Sequence, residues 1–174
     1  MERKEVLVVD LNDNPIKKVE KLSAHKKPIL HRAFSVFLID GSKILIQKRA
    51  KTKYHSPSLW ANACCSHPLT ADISFEANLR LKEELGISKT IPLEELFSFV
   101  YFANLGSIFE YELDHVLLGN YSGKIKMNPE EAEKFEWIEI SKLEKQLETN
   151  PKKFAPWFLI CAPKVIKIIK NRQI

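Results

Sequence analysis

A thiol, an imidazole and a pair of carboxylates are the groups in this chain whose types and spacing can do chemistry. The stretch Asn62-Ala-Cys-Cys-Ser-His-Pro68 places two adjacent cysteines within three residues of His67. Downstream, Ile108-Phe-Glu-Tyr-Glu-Leu-Asp114 reads as a strand, and a period of two puts Glu110, Glu112 and Asp114 on one face. Phe109, Tyr111 and Leu113 take the other, which reads as the core face. Carboxylates on one strand face suit solvent equally well, so the histidines decide the reading. His25, His31 and His67 with Glu110 and Glu112 make a nitrogen–oxygen donor set suited to zinc, manganese or iron(II). His55 and His115 are left outside that set; His115 falls on the strand face opposite Glu110 and Glu112.

A second anionic position lies on a predicted helix. Glu76, Arg80 and Glu84 recur every four residues and share a face opposite Ala77, Leu81 and Leu85. Helical spacing allows two readings: a solvated charge ladder, or Glu84 on a magnesium ion with Arg80 on a phosphate. The basic run Gln47-Lys-Arg-Ala-Lys-Thr-Lys53 follows a predicted strand and can present several cations to one anion.

These groups need a scaffold. Val6–Asp10 reads as a strand closed by the turn-forming Asn12-Asp-Asn-Pro15. Arg32–Asp40 and Lys43–Lys48 flank Gly41-Ser42 as a hairpin. Ser74–Leu85 reads as a helix with Ser74 as N-cap and Gly86 as its end. Leu96–Tyr101, Ile108–Leu118 and Lys134–Ile140 read as strands. Ser141–Leu147 and Trp157–Lys170 read as helices, the second with Leu159, Ile160, Val165 and Ile168 as its apolar contacts. This order predicts an α/β or α+β domain with a mixed sheet between helices, spanning residues 1–174 as one unit.

Composition excludes several classes. At 174 residues and 45% apolar content the chain is long enough to bury a core. No apolar run reaches a membrane span, and Met1-Glu-Arg-Lys-Glu5 lacks the apolar centre of a signal peptide. Three cysteines, two of them neighbours, do not make a disulfide framework. The expectation is a cytoplasmic protein with free thiols, monomeric for want of an exposed apolar stripe. The net charge of +5 includes Lys164, Lys167 and Lys170, read as the solvated face of the last helix rather than a nucleic-acid stripe.

Several segments together resemble type I isopentenyl-diphosphate isomerases, a family of the Nudix-fold superfamily. They are Leu22-Ser-Ala-His25, Leu30-His-Arg-Ala-Phe34, Leu59-Trp-Ala-Asn-Ala-Cys-Cys-Ser-His-Pro68, Lys82-Glu-Glu-Leu-Gly86, Phe109-Glu-Tyr-Glu112 and Phe154-Ala-Pro-Trp157. The resemblance runs from about Leu7 to the last helix. It implies a Nudix fold and one divalent ion (zinc, manganese or magnesium) on His25, His31, His67, Glu110 and Glu112. It further implies Cys65 as the essential cysteine, and Tyr101 hydrogen-bonded to the catalytic Glu112. Lys21, Arg49, Lys53 and Arg80 would grip a diphosphate, Glu84 would hold the magnesium that accompanies it, and Trp157 would face the reacting carbon skeleton. The implied activity, in isoprenoid biosynthesis, converts isopentenyl to dimethylallyl diphosphate by adding one proton and removing another. The spacing lacks one residue in each of three loops. The N-terminus also omits the extensions that direct some relatives to organelles.

Two other readings compete. A Nudix hydrolase carries Arg-Glu-x-x-Glu-Glu-x-Gly, but Leu79-Arg-Leu-Lys-Glu-Glu-Leu-Gly86 has Arg80 where the first of those glutamates belongs. A non-catalytic basic binding module would leave the thiol, acid and ligand set without a use.

Overall fold

The computed structural model describes residues 4–172. Its centre is a mixed sheet of nine strands. The longest parallel contact joins β3 (His31–Asp40) to β8 (Phe109–Asn120), in register from His31 opposite Glu112 to Ile39 opposite Asn120. Both strands are buried along most of their length; the centre of β3 and the end of β8 are apolar, whereas the first half of β8 carries its carboxylates inward. β7 (Glu94–Asn104) lies antiparallel on the far side of β8.

β3 and β4 (Lys43–Arg49) form the expected hairpin but pair only at its tip, Ile39 with Ile44 and Asp40 with Lys43. Beyond the tip they diverge. Two three-residue strands fill the split: β5 (Trp60–Asn62) pairs with β4, and β6 (Cys64–Ser66) pairs with β3. The cysteine segment is therefore wedged into the middle of the sheet. β9 (Ala132–Glu139) closes the other side of β4. β1 (Glu5–Val9) and β2 (Pro15–Glu20) form a hairpin beside the start of β3.

Helices sandwich the sheet. Phe34, Val36, Leu38, Leu45 and Leu117 point to α2 (Ile73–Leu85) and pack on Ala77, Leu81 and Leu85. Their strand neighbours Phe37, Ile44, Ile46, Val116 and Leu118 point the other way, to α3 (Ile140–Thr149) and α4 (Pro156–Arg172). This alternation is the period-two signature of a two-sided sheet. No helix among the described residues is long and apolar enough to cross a membrane.

Several expectations need correction. The N-cap of α2 is Asp72, whose side chain accepts from the Phe75 amide at 2.9 Å; Ser74 lies inside the first turn. The helix does end at Gly86, whose φ of 66° is left-handed, and an added Cβ there would come within 2.8 Å of Lys126. On α4, Ile160 is exposed. The buried face runs through Phe158, Cys161, Ala162, Val165, Ile166 and Ile169, because the anchor at Phe158 sets the helical phase. Lys164, Lys167 and Lys170 are exposed as expected. Elements that lacked a periodic signal are β2, β5, β6 and the short helix α1 (Lys21–Lys26).

Candidate active site

On β8 the carboxylate side is the interior one. Glu110, Glu112 and Asp114 are 2%, 7% and 1% exposed, whereas Phe109 and Tyr111 are only half-buried. Period two gives the alternation but not which face is covered. Here α1 packs over the charged one, and Leu113 packs in a small separate cluster with Leu7 and Val9.

The three expected histidines converge on this face from three elements. His25 comes from α1, which is started by Glu20; its carboxylate accepts from the Leu22 and Ser23 amides. His31 opens β3 and His67 follows β6. Donor atoms of His25, His31, His67 and Glu112 all lie within 4.8 Å of one another. Glu110 adjoins them, its Oε1 3.4 Å from His25 Nε2. His25 Nδ1 meets the Lys21 carbonyl at 2.7 Å and His31 Nδ1 meets the Ile29 carbonyl at 2.8 Å. A carbonyl only accepts, so each Nδ1 carries the proton and each Nε2 presents a lone pair. Both Nε2 atoms, with Glu110 Oε1, are buried without a hydrogen-bond partner. Buried polar atoms left this way cost about 1–3 kcal/mol each. Ring nitrogens anchored to carbonyls, with their partners aimed at one point, form the arrangement that supports metal ligation. The donor set fits a divalent cation.

Electrostatics agree. Burial pushes His25 below its usual pKa, and takes His67 down to about 3 despite Glu112 beside it. The neutral imidazole that burial favours at His25 and His67 is the form that binds a cation. Burial and the neighbouring Glu112 charge drive Glu110 well up. Burial also works against the Glu112 charge, but His31 and His67 hold that carboxyl well below the ordinary range. Tyr101 has one hydroxyl proton for two carboxylates; it donates to Glu112 Oε2 at 2.7 Å and lies 3.2 Å from Glu110 Oε2.

Cys65 lies on the same sheet face, two strands from β8 across β3. Its Cα pairs with Ser35, whose hydroxyl donates to Asp114 Oδ2 at 2.8 Å and lies 3.6 Å from Cys65 Sγ. The thiol itself donates to Asn62 Oδ1 at 3.1 Å. Burial, and then the Asp114 charge, push this thiol up to about 12. Asn62 Oδ1 also accepts from Trp157 Nε1 at 3.1 Å, while its amide donates to the Val36 and Cys64 carbonyls. One buried side chain thereby fixes both the cysteine and the tryptophan. Trp157 reaches this point because Ala155 donates to the Trp60 carbonyl of β5, which ties the start of α4 to the wedge.

These groups line a cavity of about 320 Å³. Lys21, Arg49, Lys53, Arg80 and Glu84 line it together with Cys65, Tyr101, Glu112 and Trp157, and the Arg49 guanidinium lies 5.2 Å from the Trp157 ring centroid. Of the thirteen residues singled out from sequence, eleven line this one cavity; His25 and His31 lie behind it, fully buried. The Glu76–Arg80–Glu84 face is no solvated ladder, since all three residues are buried. Arg80 binds Glu84 through Nε and NH2 at 3.0 and 2.5 Å. Burial disfavours the Glu84 charge and raises its pKa.

Sequence reasoning missed four participants. His55, set aside earlier, places Nε2 3.4 Å from Glu110 Oε1 and its ring against Trp157; burial takes its pKa down to about 2. Asn62 carried a signal, its place in the Trp60-x-Asn62 motif, but no assigned task. Ser35 and Glu131 carried none, because their contacts depend on pairing across the sheet and on a loop path.

The NUDIX domain family matches residues 29–158. An isopentenyl-diphosphate Delta-isomerase 2 from Aromatoleum aromaticum is 39% identical over 165 residues, covering 93% of this chain and 86% of that protein. An isopentenyl-diphosphate Delta-isomerase from Serratia proteamaculans is 41% identical over 157 residues, covering 88% and 87%. Among solved structures, DR0079 from Deinococcus radiodurans superposes with a TM-score of 0.75 at 16% identity, covering 92% of this chain and 98% of that one. A MutT protein from Methanosarcina mazei gives 0.62 at 13% identity, covering 81% and 95%. The structural matches share the fold alone; the sequence matches carry the family. The chain belongs to the NUDIX family and, within it, to the isopentenyl-diphosphate Delta-isomerases.

Proposed function

We infer that this protein isomerises isopentenyl diphosphate to dimethylallyl diphosphate. The observation that carries the mechanism is the pair of proton-bearing rows on one sheet face. Cys65–Ser35–Asp114 forms one row and Tyr101–Glu112–Glu110 the other. Ser35, Cys65, Tyr101, Glu110 and Glu112 line one cavity, so an allylic unit bound there would meet a proton donor in one row and an acceptor in the other. One group adds a proton at the terminal alkene carbon and the other takes one from the carbon two bonds away.

Protonating an unactivated alkene gives a tertiary carbocation, so the donor must be strong and closely held. Glu112, given a proton from Glu110 through the shared Tyr101 hydroxyl, fills the role of donor, and Cys65 that of acceptor; the roles exchange in the reverse reaction. Cys65 enters this step as the thiolate, and taking the strongly acidic proton beside the cation returns it to the thiol, the form that burial and Asp114 favour. Each turnover leaves the two groups with exchanged protons, which must be reset before the next. Trp157 offers its π face to the cation, an interaction of about 2 kcal/mol when dry. Enclosure matters because water would trap the cation as an alcohol.

A divalent ion on His25, His31, His67, Glu110 and Glu112 would fix the carboxylate row and make Glu112 a stronger acid by withdrawing charge. Lys21, Arg49, Lys53 and Arg80 bind the diphosphate, with Glu84 as the ligand of its magnesium. That binding energy positions the alkene and takes no part in bond changes. A hydrolase reading fits less well: Arg80 stands at a glutamate position of the hydrolase motif and points its guanidinium at Glu83 and Glu84.

Three outcomes test this reading. Cys65→Ala should lower kcat by at least about a thousandfold while pyrophosphate affinity stays within about twofold, read by coupled assay and calorimetry. Normal turnover in that variant would remove the thiol from the mechanism. In metal-free protein, iodoacetamide labelling of Cys65 should rise about tenfold per pH unit from about pH 7 to about pH 10 without levelling near 9. The sign follows from the raised pKa: the thiolate is scarce until pH approaches about 12. A plateau near pH 9 by peptide mass spectrometry would contradict it. Finally, dialysed protein should take up one cobalt(II) per chain with visible absorption bands. His31→Ala should weaken that uptake by more than the roughly 10–100-fold typical of losing a supporting hydrogen bond.

A further inference from the structure

The cations assigned to the diphosphate already hold an anion of the protein's own. Glu131 Oε2 lies 2.5 Å from Lys53 Nζ, and Glu131 Oε1 lies 3.3 Å from Arg80 NH2. The two oxygens of one carboxylate thus bridge two cations from different elements, Lys53 after β4 and Arg80 on α2. Two non-bridging oxygens of a phosphate would make the same bridge. All three residues line the cavity. Burial works against the Glu131 charge, but the hydrogen bond and charge of Lys53, with Arg80, keep its carboxyl below the ordinary value. It is an anion at neutral pH.

The backbone around Glu131 is pinned. Its carbonyl accepts from the Ala50 amide at 3.0 Å, its amide donates to the Asn128 carbonyl at 3.0 Å, and the Asn128 amide donates to the Glu84 carbonyl at 3.0 Å. Releasing the cations therefore requires only a side-chain rotation, and the side chain is 20% exposed. The two cations differ in what they would lose. Arg80 keeps Glu83 and Glu84 when Glu131 leaves, whereas Lys53 has no other carboxylate within ion-pair distance among the described residues.

We propose that Glu131 is a built-in occupant of the diphosphate cradle, held by Lys53 and Arg80 until a phosphate group displaces it. The inference rests on the diphosphate assignment above and adds a determinant of selectivity to it. In the free protein the carboxylate keeps both cations in place and spends their charge on an internal partner. A singly or doubly charged anion gains little by displacing it. A diphosphate brings more negative charge and more oxygens, and engages Lys21 and Arg49 as well. Selection between diphosphate and smaller anions thus depends in part on a competitor that belongs to the chain.

Calorimetric titration with inorganic pyrophosphate, and separately with orthophosphate, tests this at one fixed free magnesium concentration. Glu131→Gln should bind pyrophosphate about three- to tenfold more tightly than the wild type, and orthophosphate by a larger factor. Glu133→Gln serves as the charge-matched control, because Glu133 pairs with Lys48 and Ser58 away from the cavity. Glu131→Asp, which retracts the carboxylate by one methylene, should fall between wild type and Glu131→Gln, and it carries the test if the amide variant does not fold. Affinity unchanged relative to the control, or weakened, would overturn the proposal and make Glu131 a scaffold for the cations. Wild-type protein that binds no pyrophosphate would instead overturn the diphosphate assignment itself, and this inference with it.

Discussion

Two carboxylates on one buried strand face cannot both stay ionised without compensation, and the site is arranged around that cost. Glu110 and Glu112 are two residues apart on β8 and nearly sealed from solvent. Desolvation and mutual repulsion oppose their charges by several kcal/mol if uncompensated. Three imidazoles and one phenol face them; the Nε2 atoms of His25 and His31 are buried without a hydrogen-bond partner, and Tyr101 donates to Glu112. Each imidazole is fixed by something outside the cluster: α1 carries His25, β3 carries His31, and the wedge strand β6 leads to His67. Removing any of these elements would leave buried charge with no answer. The same compensation makes a carboxylate available, in a dry place, to move a proton.

The split between β3 and β4 gives the second half of the chemistry. A continuous β3–β4 ladder would leave no room for Trp60–Ser66, and Cys65 would have no place on the carboxylate face. With the wedge inserted, Asn62 ties the thiol to Trp157 while Cys65 stands in register with Ser35. Protein–protein hydrogen bonds occupy the thiol, the indole and the phenol, so these groups are oriented before any ligand arrives. The fold superposes on that of a MutT protein at 13% sequence identity. Topology therefore does not assign the chemistry; side chains such as Cys65 at the wedge and Arg80 on α2 must carry it.

Long elements with clear periodicity were legible in the sequence, and so was much of the lining of the cavity. The β3–β4 hairpin, α2, β8 and α4 announce themselves through alternation or helical spacing. The cysteine–histidine stretch and the Glu-x-Glu pair point to the cavity through their residue types. Other features were not legible for specific reasons. β5 and β6 are three residues each and exist only because two longer strands diverge. The period of β8 could not say which face lay inside, since charged residues inside are an exception that only tertiary structure licenses. Ile160 was placed on the buried side of α4 because helical phase is set by the Phe158 anchor, which sequence spacing does not reveal. His55 and Glu131 belong to the site through loop paths, where contact is set by turns such as those at Ser56 and Ser58, both at positive φ.

The account's central claim is that one face of this cavity adds a proton to an alkene while another group takes one away. Proton NMR of isopentenyl diphosphate with the protein and magnesium in D₂O tests it most directly. Dimethylallyl diphosphate carrying deuterium in a methyl group is the predicted result, because the added proton comes from exchangeable groups on the protein. An unchanged alkene with inorganic phosphate released would contradict the account and point to hydrolysis by the same fold.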